Sequence, residues 1–235
     1  MKRPLLLMLL IALLGGGCAT PVSGPPRTIS ETLAAGDQAG RHAIQAYLVV
    51  DAAGMRLVDG LSLIANPPQP LTPPEQQIWL ETTLPAEIEA GLYHAGPLRY
   101  LAVVAVEQLE GPGAFGPSNT YRYRMRNPQL SMLPTRETSI VNLLAQPEVY
   151  RAGMVRITGN ILLHDDAAIL VEELGPGGVP TAASREIKLI GATRDTALRR
   201  FLQSTAGGSI SFGLVQVEGI WHDNALIIFS VLPVG

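Results

Sequence analysis

Two short turns carry the side chains best suited to chemistry. His164-Asp165-Asp166 and His222-Asp223-Asn224 each set an imidazole beside carboxylate or amide oxygens. Those donors bind divalent cations or orient polar ligands. If the two turns meet, His164, Asp165, His222 and Asp223 make a metal site, and a metal-dependent protein or hydrolase becomes one reading of the chain. His, Asp and Asn are also ordinary turn formers, so the same residues fit a purely structural role.

A second pattern is Tyr121-Arg122-Tyr123-Arg124-Met125-Arg126. As a strand it puts Arg122, Arg124 and Arg126 on one face and Tyr121, Tyr123 and Met125 on the other. Three cations in a row could meet a nucleic-acid backbone, an anionic lipid surface or an acidic polysaccharide, with Tyr121 and Tyr123 beside them. A solvated face whose arginines guard a sheet edge gives the same pattern. Trp79 and Trp221 end apolar runs and read as core, and Asp59, Glu172 and Glu173 read as solvated strand ends. The sequence holds no Gly-x-Ser-x-Gly elbow, no His-Glu-x-x-His and no phosphate-binding glycine loop followed by lysine. Gly175-Pro176-Gly177-Gly178 lacks the following helix that would let it hold phosphate. No catalytic residue and no cofactor is implied.

The chain of 235 residues is 47% hydrophobic and only 16% charged, against about a quarter in an average soluble protein. Losing residues 1–17 would remove Lys2 and Arg3, leaving 15 basic against 20 acidic residues, a net charge of −5. Such a chain has no global attraction to phosphates, which disfavours nucleic acid as the partner. The single cysteine, Cys18, leaves the rest of the chain without a disulfide or a thiolate metal site.

The elements that position these residues come from an internal repeat. IQAYLVVDAAGMRLVDGL at 44–61 lies without a gap on ITGNILLHDDAAILVEEL at 157–174. Ile44 meets Ile157, Leu48 meets Ile161, Leu57-Val58 meet Leu170-Val171, and Asp59 meets Glu172. Each copy reads as two strands around a polar turn. Gln77 to Glu81 and Glu186 to Ile190 then predict a third strand. Leu84 to Leu92 and Asp195 to Gln203 predict short helices, the second with Asp195 as a plausible cap. Tyr100 to Leu109, Gly213 to Glu218, Tyr121 to Met125 and Ala225 to Leu232 predict two closing strands in each half.

Three strands, a short helix and two more strands is the element order of the OB-fold, which this chain resembles. The resemblance implies a mainly β protein of two tandem small five-stranded OB-like barrels, at 28–133 and 138–235, each with a short helix between strands 3 and 4. It also implies that the His164 and His222 loops lie at one rim of the second barrel, where such folds bind ligands. The first copy has no histidine at the matching places, Asp51-Ala52-Ala53-Gly54 and Gly111-Pro112-Gly113.

The N-terminus carries Lys2-Arg3, an apolar run from Leu5 to Leu14, and Gly15-Gly16-Gly17 before Cys18. Ten apolar residues make a helix of about 15 Å, too short to span a bilayer. The pattern resembles a bacterial lipoprotein signal, although Gly15 stands where that family usually has leucine. It implies a signal peptide at 1–17 and lipidation of Cys18. Residues 18–27, rich in Pro, Gly and Ser, read as a tether. The expectation from sequence is an exported, non-enzymatic binding or scaffolding protein of the cell envelope. It would be anchored by lipid to the outer face of the cell membrane, or to an outer membrane, with an envelope protein or glycan as partner.

Overall fold

A computed structural model describes residues 24–36, 40–151, 153–165, 167–205 and 207–234. The signal segment, Cys18, the tether up to residue 23 and Asp166 lie outside them. Among the described residues no helix is long and apolar enough to cross a membrane.

The first half contains α1 (Ile29–Ala35), β1 (Arg41–Asp51), β2 (Gly54–Val58), β3 (Leu61–Ser62), β4 (Gln69–Pro70), β5 (Ile78–Glu81), α2 (Ala86–Gly91), β6 (Tyr93–Ala95), β7 (Leu98–Gln108), β8 (Tyr123–Arg126) and β9 (Gln129–Met132). Its main sheet runs in the order β6-β7-β1-β2-β5-β8, with β9 also on β7, and β3 pairs β4 apart from it. The second half contains β10 (Thr135–Thr138), α3 (Ile140–Ala145), α4 (Pro147–Tyr150), β11 (Met154–His164), β12 (Ala167–Val171), β13 (Glu186–Ile190), β14 (Gln203–Ser204), β15 (Ile210–His222) and β16 (Ala225–Pro233). Its sheet runs β10-β11-β12-β13-β16-β15-β14, and β11 pairs β15 as well.

These pairings correct the expected pair of small five-stranded OB-like barrels. Each sheet has seven strands, and the first is an open path that ends at β6 and β8. The helix expected at Asp195 to Gln203 is also replaced, by two 3₁₀ turns, Ala192–Arg194 and Leu198–Phe201. Asp195 is buried and extended rather than an α-helical cap, and Gln203 already belongs to β14. Arginines at 199 and 200 face solvent, so the segment lacks a second apolar turn that would extend it into a helix.

Alternation along β1 explains how the halves pack. Ile44, Ala46, Leu48 and Val50 enter the first core with Leu57, Ile78, Val103 and Met125. Tyr47 and Val49 point the other way, into a joint cluster with Met154, Ile220 and Phe229 from the second half. A bulge in β16 makes that contact possible. Leu226, Ile228 and Val231 face the second core, so the parity skips at Phe229, which turns toward Tyr47. Gly219 lies opposite, where a Cβ would collide with the Ile227 carbonyl. The Tyr47 and Phe229 rings meet edge to face at 5.3 Å, and the Tyr47 hydroxyl donates to Glu218 at 2.6 Å.

Candidate functional site

A cleft lies where the two halves meet, and its wall begins with the chain's approach to β1. The Arg27 N–H donates to the Ala43 carbonyl at 2.9 Å, and the Gln45 N–H to the Arg27 carbonyl at 2.8 Å. This bridge straps Pro25 to Thr28 along β1 before β2 takes over that edge. Thr28 then caps α1 through a capping box with Glu31, whose Oε2 accepts from the Thr28 N–H at 2.7 Å.

The helix start is fixed a second time from below. Asp59, expected to be solvated, is 3% exposed and accepts from the N–H groups of Ile29 at 2.8 Å and Ser30 at 2.7 Å, and from the Ser30 hydroxyl. Burial pushes its carboxyl above the ordinary range, although the hydrogen bonds from Ser30 and Ile29 act in the opposite direction.

The cleft has a volume of about 940 Å³. Val104, Leu133, Ile220 and Trp221 form its apolar floor, while Arg27, Glu31, Arg151, His222 and Asp223 stand at the rim. Gln45 and Thr28 are the buried polar residues of its lining, 5% and 3% exposed. Gln45 Nε2 donates to the Pro26 carbonyl at 3.2 Å, but its Oε1 is buried and accepts from nothing among the described residues. An unmet buried acceptor costs about 1–3 kcal/mol.

His222 reaches this mouth from the end of β15. Its Nε2 is 3.7 Å from Glu31 Oε1 on α1 and 3.2 Å from Asp223. His164 does not join it. His164 pairs with Ile210, the first residue of β15, while His222 is the last, so the long strand holds the two imidazoles apart. His164 has Asp165 at 3.7 Å, and among the described residues no group of three or more His, Cys, Asp or Glu could hold a metal ion. The expected shared rim is thus replaced by two separate turns, of which His222-Asp223 borders the cleft.

The arginine stripe is largely consumed by carboxylates. Arg124 contacts Glu81 at 3.0 Å and Glu110 at 2.7 Å, and its guanidinium lies 4.4 Å over the Phe115 ring. Arg126 reaches the same two carboxylates at 3.4 and 3.2 Å. Arg122 precedes the strand and is exposed. Tyr121 is buried in a stack with Trp79 at 5.1 Å, and Tyr123 packs against the first core, so neither offers a free stacking face.

No protein-family model, no curated protein and no solved structure matches this chain. The resemblances to tandem OB-fold domains and to a bacterial lipoprotein signal therefore gain no support from known proteins, and the open first sheet overturns the former. A functional reading built on barrel rims falls with it. Gln45 and Asp59, the two residues that matter most here, were not singled out as site residues by motif. The signal available for Asp59 was its place between apolar residues, Leu57-Val58 before it and Leu61 after it, all three buried.

Proposed function

We propose that the protein is a non-catalytic binding protein that holds a small molecule in the cleft between its two halves. The observation that carries this reading is a cleft of about 940 Å³ with an apolar floor of Val104, Leu133, Ile220 and Trp221 and a polar rim. The titratable side chains His222 and Asp223 stand in solvent at the rim, where they suit steering and selection of the ligand.

The test is native mass spectrometry of the full-length chain, extracted gently from the cells that make it. The parent should carry a non-covalent adduct, and Val104→Trp, which fills the cleft from β7, should lose it. Equal spectra from both proteins would overturn the reading. We further propose that the chain is exported and held at the outer face of a membrane through Cys18. The charged, apolar and small-residue order of residues 2–18 supports this. Intact mass should show Cys18 as the first residue and acylated, and an unmodified, uncleaved N-terminus would refute it.

A further inference from the structure

The charged groups at the mouth of the cleft narrow its ligand. We infer that it takes an amphiphilic anion, whose carboxylate, sulfonate or phosphate head meets Arg27 while its apolar body lies along the cleft. This rests on the binding reading above and adds the class of ligand.

The apolar body follows from the surface that a ligand can reach. Val104 and Ile227 are half-buried, and Pro25, Pro26, Ala34 and Ala35 are exposed. Together they form an apolar lining contributed by the strap before α1, by α1 itself, by β7 and by β16. Covering it removes apolar surface from water without desolvating a charge.

The sign of the head follows from the partners that each charged group at the mouth already has. Glu31 is spent on the helix cap, where its Oε2 accepts from the Thr28 N–H at 2.7 Å and from the Thr28 hydroxyl at 3.0 Å. Its Oε1 and the Asp223 carboxylate converge on His222 Nε2, at 3.7 and 3.2 Å. The two acids therefore lie together around one imidazole. Arg27 differs. Among the described residues no carboxylate lies within ion-pairing distance of it, and its guanidinium donates no hydrogen bond. Its backbone is pinned by the bonds to Ala43 and from Gln45, so an exposed cation with all its donors free stands on a fixed base beside the apolar lining. Arg151 adds a second cation, whose pairing with Glu148 at 3.1 Å is solvent-exposed and weak. A cationic head would be repelled by Arg27, and a neutral one would leave the guanidinium to water. The unmet demand at the mouth is for a negatively charged acceptor.

The experiment uses the full-length chain and three probes with one body and different heads. Pyrenebutyrate is an anion, pyrenebutanol is neutral and pyrenebutylamine is a cation at neutral pH, and fluorescence anisotropy reads the binding of each. At low salt the butyrate should bind the parent roughly fivefold more tightly than the alcohol, the upper range for an exposed ion pair, and the amine no more tightly than the alcohol. High salt should shrink the advantage of the butyrate. Arg27→Gln should remove most of it, and Arg27→Lys should keep most of it. Inorganic phosphate at matched ionic strength should leave the butyrate bound, because it brings the head without the body.

Because the three heads are compared on the parent protein, the answer does not depend on a variant folding. Binding of the alcohol or the amine as tight as that of the butyrate would overturn the anionic class while leaving the cleft as a binding site. A preference that Arg27→Gln leaves unchanged would overturn the placing of the head at Arg27. Displacement by phosphate would show that the head suffices and would overturn the amphiphile. Probe binding that survives Val104→Trp unchanged, or no binding of any probe, would overturn the cleft itself.

Discussion

The two halves of the molecule begin alike and end differently. Each opens with an extended residue paired in parallel to its long strand, Arg27 on Ile44 in the first and Thr138 on Ile157 in the second. Each then caps a short helix with a hydroxyl, Thr28 or Ser139, and buries the isoleucine that follows, Ile29 or Ile140. Both long strands have 11 residues, and both hairpins turn through two. They part at the last strands. β16 pairs with β15 from Val215 to His222, whereas β8 meets the segment after β7 only through the bridge Glu110–Arg124. The proline- and glycine-rich stretch from Gly111 to Ser118 intervenes there, and proline cannot extend a ladder.

That asymmetry decides where a site can form. The outer face of β1 is covered by the second half, so Tyr47 and Gln45 are 2% and 5% exposed. At the matched positions of β11, Asn160 is half-buried and Thr158 exposed. The same frame occurs twice, and the docking of one half on the other places this cleft against β1.

The largest expected effect attacks the docking. Phe229→Ala removes the ring that the bulge turns toward Tyr47, and a fully buried phenylalanine so truncated costs about 3–5 kcal/mol. Denaturant unfolding should show the loss, and native hydrogen exchange should show it in β1 as well as β16. Protection of β1 that stays at the parental level would mean the halves are energetically separate.

The hairpins allow a paired test of smaller size. Gly54 has φ +127°, and a Cβ there would run into the Trp79 ring, whereas the second hairpin carries Ala167 at this place. Gly54→Ala should cost about 1–3 kcal/mol, and Ala167→Gly only about 0.5–1. Equal losses would deny that the hairpins differ. Next in size is Tyr47→Phe, which deletes the donor to Glu218 and should cost about 1.5 kcal/mol, a usual value for a hydrogen bond to a charged group. Glu218 keeps Arg156 at 2.5 Å, so the double variant with Arg156→Met should lose less than the two single variants together if the two bonds to Glu218 strengthen one another.

Much of this frame was legible in the sequence. The gapless match of 44–61 with 157–174 located both hairpins, because alternation and turn residues are local properties. The lead-in pairs were not read, since Thr28-Ile29 and Ser139-Ile140 match at only one residue in two and signal a cap only once the helix is known. The closure of the sheets was beyond it, because element order does not say whether β7 will reach β8. The separation of the two histidine turns was out of reach for the same reason. His164 and His222 look alike as turns, and only the length of β15 between Ile210 and His222 keeps them apart. Gln45 is a polar interruption in an apolar strand, a pattern that could have marked it for scrutiny.

The smallest expected effect concerns the latch that holds α1, which the second half lacks in this form. Asp59 matches Glu172 in the repeat, yet Glu172 accepts from the Arg185 N–H instead, at 3.3 Å. Burial raises the Asp59 carboxyl above its unfolded value, so the folded state binds the proton more tightly than the unfolded one. The sign follows: its contribution is fully present below the ordinary carboxylate value of about 3.9 and is lost as pH rises through the folded pKa. Asp51 has the opposite sense. Burial raises it too, but Arg56 at 2.7 Å and the Ala53 N–H outweigh that and leave it lowered, so its contribution fades as pH falls. Asp59→Asn keeps an acceptor oxygen for one N–H of α1 and removes the charge. The variant should lie within about 1 kcal/mol of the parent at neutral pH, and its urea midpoint should decline less between pH 4 and 7. A parent and variant with parallel pH profiles would show that the Asp59 latch is pH-neutral and that α1 is held equally well in either protonation state.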